Sequence, residues 1–99
     1  MAHYDIYIPG NAGVDMQDQD TLTIHFNSRR KFCIVAGNSA SFNPALPAGA
    51  VGEQGSKWDG TAIVSNASIS YSHVDWDKGC GANPADSTPG TIKIGSGTK

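Results

Sequence analysis

The chain has 99 residues, of which 16% are charged, and its net charge is −2 at neutral pH. This length suits one hydrophobic core, so we expect residues 1–99 to form a single domain. The small negative charge disfavours nucleic-acid binding. No apolar run approaches the roughly 20 residues that a transmembrane helix needs, which argues against a membrane span.

Apolar and polar side chains alternate along several short segments, which is the pattern of half-buried β-strands. In chain order these segments are residues 3–8, 21–26, 31–35, 61–64, 68–76 and 91–94. The residues expected to face the core are Leu22, Ile24, Phe26, Ile69, Tyr71, Ile92 and Ile94. No window combines helical spacing with helix start and stop signals. The pattern predicts an all-β domain, a sandwich or small barrel of about six to eight short strands.

The segment 41–57 contains two prolines and three glycines and has no clear period. We expect it to run over the surface without adding a core strand. Trp58 follows it in the sequence SKWDG, a context typical of a loop tip. Trp58 and Trp76 are therefore candidate binding residues, whose rings would stack on a carbohydrate or protein partner.

Three segments resemble strands of the cupredoxin family. "DTLTIHFNSRRKFCIV" resembles the second and third strands, of which the third carries the first copper-binding histidine. "ASISYSHVD" resembles the strand that delivers the copper-binding thiolate, and "TPGTIKIGSG" resembles the final strand. The sequence is also similar to bacterial cupredoxin-like domains of uncharacterised function. The resemblance implies a cupredoxin-like Greek-key β-sandwich.

The family's copper ligands do not carry over to this chain. A blue-copper centre needs two imidazoles and a thiolate, often with an axial methionine. When Tyr71 is matched to the tyrosine of the family pattern, Asp75 falls at the thiolate position and Phe32 falls near the first histidine. The closing loop, residues 79–89, contains neither histidine nor methionine. We therefore expect no blue-copper centre and no cofactor.

Cys33 and Cys80 are the two cysteines of the chain. The resemblance implies that the third strand ends near the final loop, at the pole where copper would bind, so a disulfide between the two is geometrically reasonable. Two free thiols, or a metal site formed by both cysteines and a histidine, are the alternatives. The cysteines lack the C-x-x-C spacing that favours metal binding.

The three histidines have different expected environments. His3 lies near the start of the chain, and His25 is out of phase with Leu22 and Ile24, so we expect both to be exposed. His73 shares its phase with the buried face of its strand. We expect His73 to be hydrogen-bonded and half-buried, with a role as a metal ligand as the alternative.

Carboxylates offer a second metal hypothesis. Asp75 and Asp77 lie close to His73 in the sequence, which makes the three residues candidate ligands for copper or another ion. The acidic stretch DMQDQD and the stretch DWDKG also contain oxygen ligands of the type that calcium prefers; the first contributes Asp15, Asp18 and Asp20. Neither stretch has the ligand spacing of an EF-hand loop.

The sequence contains no recognisable catalytic motif. It has no G-x-S-x-G nucleophile elbow, and no glycine-rich phosphate loop that precedes a helix. We expect a non-catalytic binding or structural module of unknown ligand. The alternatives are a copper- or calcium-binding protein with non-standard ligands, or a carbohydrate- or protein-binding module that uses exposed aromatics. The Gly-, Ser- and Thr-rich composition favours a mature periplasmic or secreted protein, or a cytoplasmic one if Met1 is the native start.

Overall fold

The computed structural model describes residues 2–8, 10, 13–34, 36–81 and 87–95. Within these residues the chain forms nine strands and one 3₁₀ helix, η1 (Ala36–Ser41). The strands are β1 His3–Ile8, β2 Val14–Gln17, β3 Thr21–Phe26, β4 Arg30–Ile34, β5 Phe42–Asn43, β6 Val51–Gly52, β7 Lys57–Ala62, β8 Ala67–Asp75 and β9 Ser87–Gly95. The all-β prediction is confirmed. No helix in the described part of the chain is long and apolar enough to cross a bilayer.

The strands form two sheets. The first has four strands in the order β1-β3-β7-β5, and the second has five in the order β2-β9-β8-β4-β6, counted over the described residues. Successive strands from β1 to β8 alternate between the sheets, and β9 then pairs with β8 in the second sheet. The pairs β1–β3 and β2–β9 are parallel, and the remaining pairs are antiparallel.

One apolar core takes side chains from both sheets. Ile6, Leu22 and Ile24 of the first sheet are fully buried, as are Phe32 and Ile92 of the second. Every residue assigned to the core from the sequence lies in this cluster. Burial of one such side chain contributes roughly 1.5–3 kcal/mol, so the facing apolar surfaces hold the sheets together.

The boundaries of several strands differ from the sequence prediction. The strand expected at residues 61–64 is displaced toward the N-terminus, because β7 spans Lys57–Ala62. β2 was not predicted because it has only four residues, of which Met16 alone is buried. The segment 41–57, expected to run over the surface without adding a core strand, contributes the two-residue strands β5 and β6, and Phe42 of β5 is buried in the core. Val35, at the end of the predicted third strand, and 82–86 of the final loop lie outside the described residues.

Asp20 ties three parts of the chain together where β2 leads into β3. Its carboxylate accepts hydrogen bonds from the backbone N–H groups of Ala2, at 2.8 Å, and Gln17, at 2.9 Å. These bonds lower the pKa of Asp20. Its backbone carbonyl accepts a further bond from the N–H of Ala62, at the end of β7. The side chain is almost fully buried and acts as a turn cap.

Cys33 and Cys80 form a disulfide, as the sequence led us to expect. Cys33 lies next to the inward-facing Phe32 and pairs with Ser72 of β8, so it projects from the outer face of the second sheet. Lys31, on the same outer face, donates a hydrogen bond through Nζ to the carbonyl of Lys78 at 2.8 Å. The segment after β8 is therefore fastened across this face, away from the gap between the sheets.

We predict that the double variant Cys33→Ser/Cys80→Ser has a free energy of unfolding about 4 kcal/mol lower than the wild type. The two cysteines are 47 residues apart, and the prediction is the chain-entropy value for a loop of that length. Urea unfolding followed by circular dichroism measures the difference. Dithiothreitol should lower the stability of the wild type and leave the variant unchanged; equal stability of the two proteins without reductant would contradict the prediction.

Candidate functional site

The outer face of the first sheet carries a regular array of polar side chains. Because side chains alternate along a strand, the residues between the buried positions of β1, β3 and β7 all project from this face. The backbone register arranges them in three rows, His3–Thr21–Thr61, Asp5–Thr23–Asp59 and Tyr7–His25–Lys57. We call this array the polar face.

His3 is held by two threonine hydroxyls of the neighbouring strand. Its Nδ1 lies 2.7 Å from Thr21 Oγ1, and its Nε2 lies 3.2 Å from Thr23 Oγ1. Thr23 donates its hydroxyl proton to Asp59, in a short hydrogen bond. The Thr23 oxygen therefore accepts a hydrogen bond from the Nε2–H group of His3. Thr23 is only 4% exposed although it points outward, because these neighbours cover it.

Asp5 lies between the two histidines of the polar face. Its Oδ1 atom is 2.8 Å from Nε2 of His25 and 3.4 Å from Nε2 of His3. The hydrogen bond from His25 is the largest influence that lowers the pKa of Asp5; the charge and the hydrogen bond of His3 act in the same direction, against partial burial. Asp5 is therefore ionised at neutral pH and attracts positive charge.

An aromatic ring and a shallow concavity complete the polar face. The ring of Tyr7 stacks on the imidazole of His25, with 4.5 Å between the ring centroids, and Tyr7 is 51% exposed. At the other end of the face, a concavity of about 340 Å³ is bordered by His3, Asn43 and Asp59. Hydrogen-bonding groups and an exposed ring thus lie within one surface.

A separate polar network lies at the end of β4 and β8. His73 is fully buried and not half-buried as expected, and Arg30 donates from Nε to its Nδ1 at 3.1 Å. Because a guanidinium only donates, Nδ1 must accept and the proton of the neutral ring is on Nε2. Nε2 faces the carbonyl oxygen of Gly10 at 3.4 Å. The other arm of Arg30 donates to Asp75 at 2.6 Å.

The environment of His73 keeps its imidazole neutral. Burial is the main cause that lowers the pKa of His73, and the positive charge of Arg30 lowers it further, while the bond to Gly10 opposes both. Both ring nitrogens are engaged, and Asp75 is paired with Arg30. Among the described residues, no three His, Cys, Asp or Glu side chains are arranged around one metal position. The hypothesis that His73, Asp75 and Asp77 bind an ion stays a prediction.

The two tryptophans have different surroundings. Trp58 lies in β7, so the expected loop-tip context is wrong. Its ring packs edge-on against Phe42 at 5.6 Å between centroids, and its indole N–H donates to the carbonyl of Ala45 at 3.0 Å. A β-carbon at Gly60 would collide with the ring, so the glycine provides its space. Trp76 is 51% exposed.

The guanidinium of Arg29 lies over the ring of Trp76, 4.4 Å from its centroid, and forms an ion pair with Glu53 at 3.3 Å. One face of the Trp76 ring is thus covered by a cation that already has a partner.

In the acidic stretch proposed for calcium, the carboxylate of Asp20 accepts the two backbone hydrogen bonds described above. Asp18 accepts from the side chain of Gln19 at 3.1 Å.

Neither the role of Arg30 nor the polar face as a unit was predicted from the sequence. Arg30 belongs to a basic run of the type that is usually solvated, yet its side chain is only 14% exposed. The outward positions of His3, Asp5 and His25 were visible in the alternation. Their proximity depends on the parallel register of β1 and β3, which no local motif specifies.

Comparisons of the chain with models of known protein families, with curated proteins and with solved structures found no match. Functional inference therefore depends on the geometry of the chain itself and on the sequence pattern.

We predict that Arg30→Ala lowers the free energy of unfolding by about 1–3 kcal/mol, since it leaves Nδ1 of the buried His73 without a donor. The neighbouring Arg29 is the matched control, because its contacts with Trp76 and Glu53 are exposed and Arg29→Ala should cost less than about 1 kcal/mol. Chemical denaturation of both variants measures the difference. Equal losses would show that Arg30 is not a structural partner of His73.

We also predict that stability falls as the pH drops below about 6.5, the ordinary pKa of histidine. The native pKa of His73 is lowered. The unfolded chain therefore takes up a proton in a range where native His73 does not, and stability declines until the native pKa is reached. The lowered pKa values of Asp5 and Asp20 act only at more acidic pH, below about 4.

Urea unfolding at a series of pH values between about 4.5 and 7.5 tests this dependence across the ordinary histidine range. The slope should be smaller in His73→Gln, which cannot titrate, and His73→Asn serves as a second non-titrating variant. If the wild type and both variants show the same slope, His73 is not its source.

Proposed function

We propose that this chain is a non-catalytic binding module, built on a cupredoxin-like Greek-key sandwich without a blue-copper centre, and that it binds a hydroxyl-rich ligand of the oligosaccharide class. The ligand lies on the polar face of the first sheet. The observation that carries this proposal is the combination there of an exposed tyrosine with side chains already fixed by mutual hydrogen bonds.

The order of the second sheet supports the cupredoxin-like framework. The part that resembles the family's third strand falls in β4, and the segments that resemble the thiolate-bearing strand and the final strand fall in β8 and β9. Ligands from these segments can converge only if the strands are neighbours, and β8 lies between β4 and β9. Phe32, near the position of the first histidine, pairs with His73 of β8.

The surroundings of the same residues support the absence of a blue-copper centre. Such a centre needs a free thiolate and two imidazoles. Phe32 is fully buried against Tyr71, with 5.1 Å between ring centroids, and Asp75 pairs with Arg30. Cys33 and Cys80 are joined to each other. This pole is therefore filled by structural contacts, and a ligand-binding role fits the polar face better.

The chemistry of the polar face suits a hydroxyl-rich ligand. Asp5 and Asp59 present carboxylate acceptors, while Asn43 and Lys57 add donors, so the face can match hydroxyl groups that both donate and accept. The free side of the Tyr7 ring offers an apolar surface for the C–H face of a sugar ring. A concavity of about 340 Å³ lies at the small end of the range for ligand pockets, which suits one sugar unit.

Fixed side chains reduce the entropic cost of binding. Thr23 and His3 already hold each other and Asp59 in place, and His25 is stacked on Tyr7. A ligand that meets these groups does not have to immobilise them, so more of the contact energy appears as affinity.

The proposal predicts that an oligosaccharide array detects binding of a subset of glycans. For the best glycan, isothermal titration calorimetry should show at least a tenfold weaker affinity for Tyr7→Ala and for Asp59→Asn. Loss of the stacking surface, or of one anionic acceptor, is worth about 1.4 kcal/mol or more in such a site.

Trp76→Ala is the matched control, since it removes an equally exposed aromatic ring that lies beside Arg29, away from the polar face. Its affinity should equal that of the wild type. Absence of glycan binding would overturn the proposal. Binding that depends on Trp76 and not on Tyr7 would also overturn it, because the ligand surface would then lie beside Arg29.

A further inference from the structure

Three proton-accepting or metal-ligating groups converge at the centre of the polar face. Nε2 of His3 and Nε2 of His25 approach the same oxygen, Oδ1 of Asp5, at 3.4 and 2.8 Å. The oxygen of Thr23 adds a further acceptor at 3.2 Å from Nε2 of His3. Without protons on the imidazole nitrogens, all of these atoms would direct lone pairs at one another. In the metal-free chain the Nε2 protons of neutral imidazoles satisfy these contacts, and a metal ion can take the place of those protons.

The separations are close to those between ligands of one metal ion. A tetrahedral ion with bonds of about 2.0–2.1 Å holds neighbouring ligand atoms about 3.3 Å apart. The His3–Asp5 and His25–Asp5 separations of 3.4 and 2.8 Å lie on either side of this value. We propose that His3, Asp5 and His25 bind one divalent transition-metal ion of the zinc class. This proposal is independent of the oligosaccharide proposal, since it requires no organic ligand.

Binding requires a rearrangement, because no three His, Cys, Asp or Glu side chains among the described residues are placed to hold an ion. In the structure the carboxylate of Asp5 separates the two imidazoles. His25 lies on the surface with 29% of its side chain exposed, so its ring can turn toward His3 as Asp5 swings to one side of the ion. Tyr7, which is stacked on the His25 ring, would move with it.

Thr21 is suited to orient His3 as a ligand. Its hydroxyl lies 2.7 Å from Nδ1 and can either donate or accept. In the metal-free chain the proton of His3 is on Nε2, facing Thr23. When a metal ion takes the Nε2 position, the proton moves to Nδ1 and Thr21 accepts it. Such a partner of a ligating histidine typically changes metal affinity 10–100-fold.

The donor set selects among metal ions. Two imidazoles and one carboxylate suit Zn²⁺, Cu²⁺ or Ni²⁺, whereas Ca²⁺ and Mg²⁺ prefer oxygen ligands throughout. Three protein ligands leave one position of a zinc tetrahedron open to water. The expected ion is therefore Zn²⁺ or a similar divalent ion, bound at the surface with one exchangeable ligand.

Calorimetric titration with Zn²⁺ alone tests the proposal. We expect one saturable equivalent to bind at pH 7.5 and no heat from Ca²⁺ at the same concentration. His3→Gln and His25→Gln should each abolish saturable binding, and Thr21→Val should weaken it at least tenfold. The matched controls Asp75→Asn and Asp77→Asn, which lie near His73, should bind as the wild type does.

Long-range ¹H–¹⁵N spectra of the imidazoles locate the ion directly, because the chain has three histidines. Zn²⁺ should shift Nε2 of His3 and His25 and leave both nitrogens of His73 unchanged. Absence of saturable binding would overturn the proposal. Binding that survives both histidine variants but is lost in Asp75→Asn, or that shifts His73, would also overturn it and place the ion at the pole.

Discussion

Two sheets that each bury one face leave the opposite faces free, and this constraint determines where chemistry can reside in the molecule. Side chains alternate strictly along a strand, so Leu22 and Ile24 can enter the core only if Thr23 and His25 point outward. The apolar faces hold the sheets together. The polar residues that alternate with the buried ones then project at fixed spacings from an outer surface that is not covered by the core.

The gap between the sheets, by contrast, is closed at the end of β8, where the resemblance in sequence to cupredoxins would put a copper site. His73 is enclosed there and bonded through both ring nitrogens, and Arg30 crosses between His73 and Asp75. A guanidinium that is only 14% exposed and a buried, neutral imidazole that satisfy each other form a structural contact. The disulfide fastens the neighbouring segment over the outer face of the second sheet instead. The sequence led us to expect His73, Asp75 and the two cysteines at one end of the sandwich. In the structure they form two separate structural units, a buried polar network around His73 and a disulfide on the outer face of the second sheet.

The sequence predicted the parts of the fold that depend on local pattern. The core positions and the outward orientation of His25 follow from alternation, and the pairing of Cys33 with Cys80 was favoured on the cupredoxin resemblance. Features that depend on which strands pair in the folded chain could not be predicted from the sequence. β5 and β6 are too short to show a period, and the parallel register of β1 and β3 is set by packing against the rest of the first sheet.

The same limit applies to individual side chains. Arg30 looks like any member of a basic run until β4 pairs with β8 and sets it opposite Asp75. Trp58 looks like a residue of a loop tip until β7 extends to include it and Gly60 makes room for its ring. The polar face exists because the sheet register brings His3 and Asp5 of β1 beside His25 of β3.

We propose that ligands bind this protein on the outer face of the first sheet and not at the end of β8, between the sheets. Backbone ¹H–¹⁵N NMR spectra, recorded with and without a saturating amount of the tightest-binding glycan, test it most directly. We expect the shifted amides to cluster in β1, β3 and β7, while the amide signals of His73, Asp75 and Cys80 do not move. Shifts centred on the end of β8, with β1 and β3 unchanged, would contradict it.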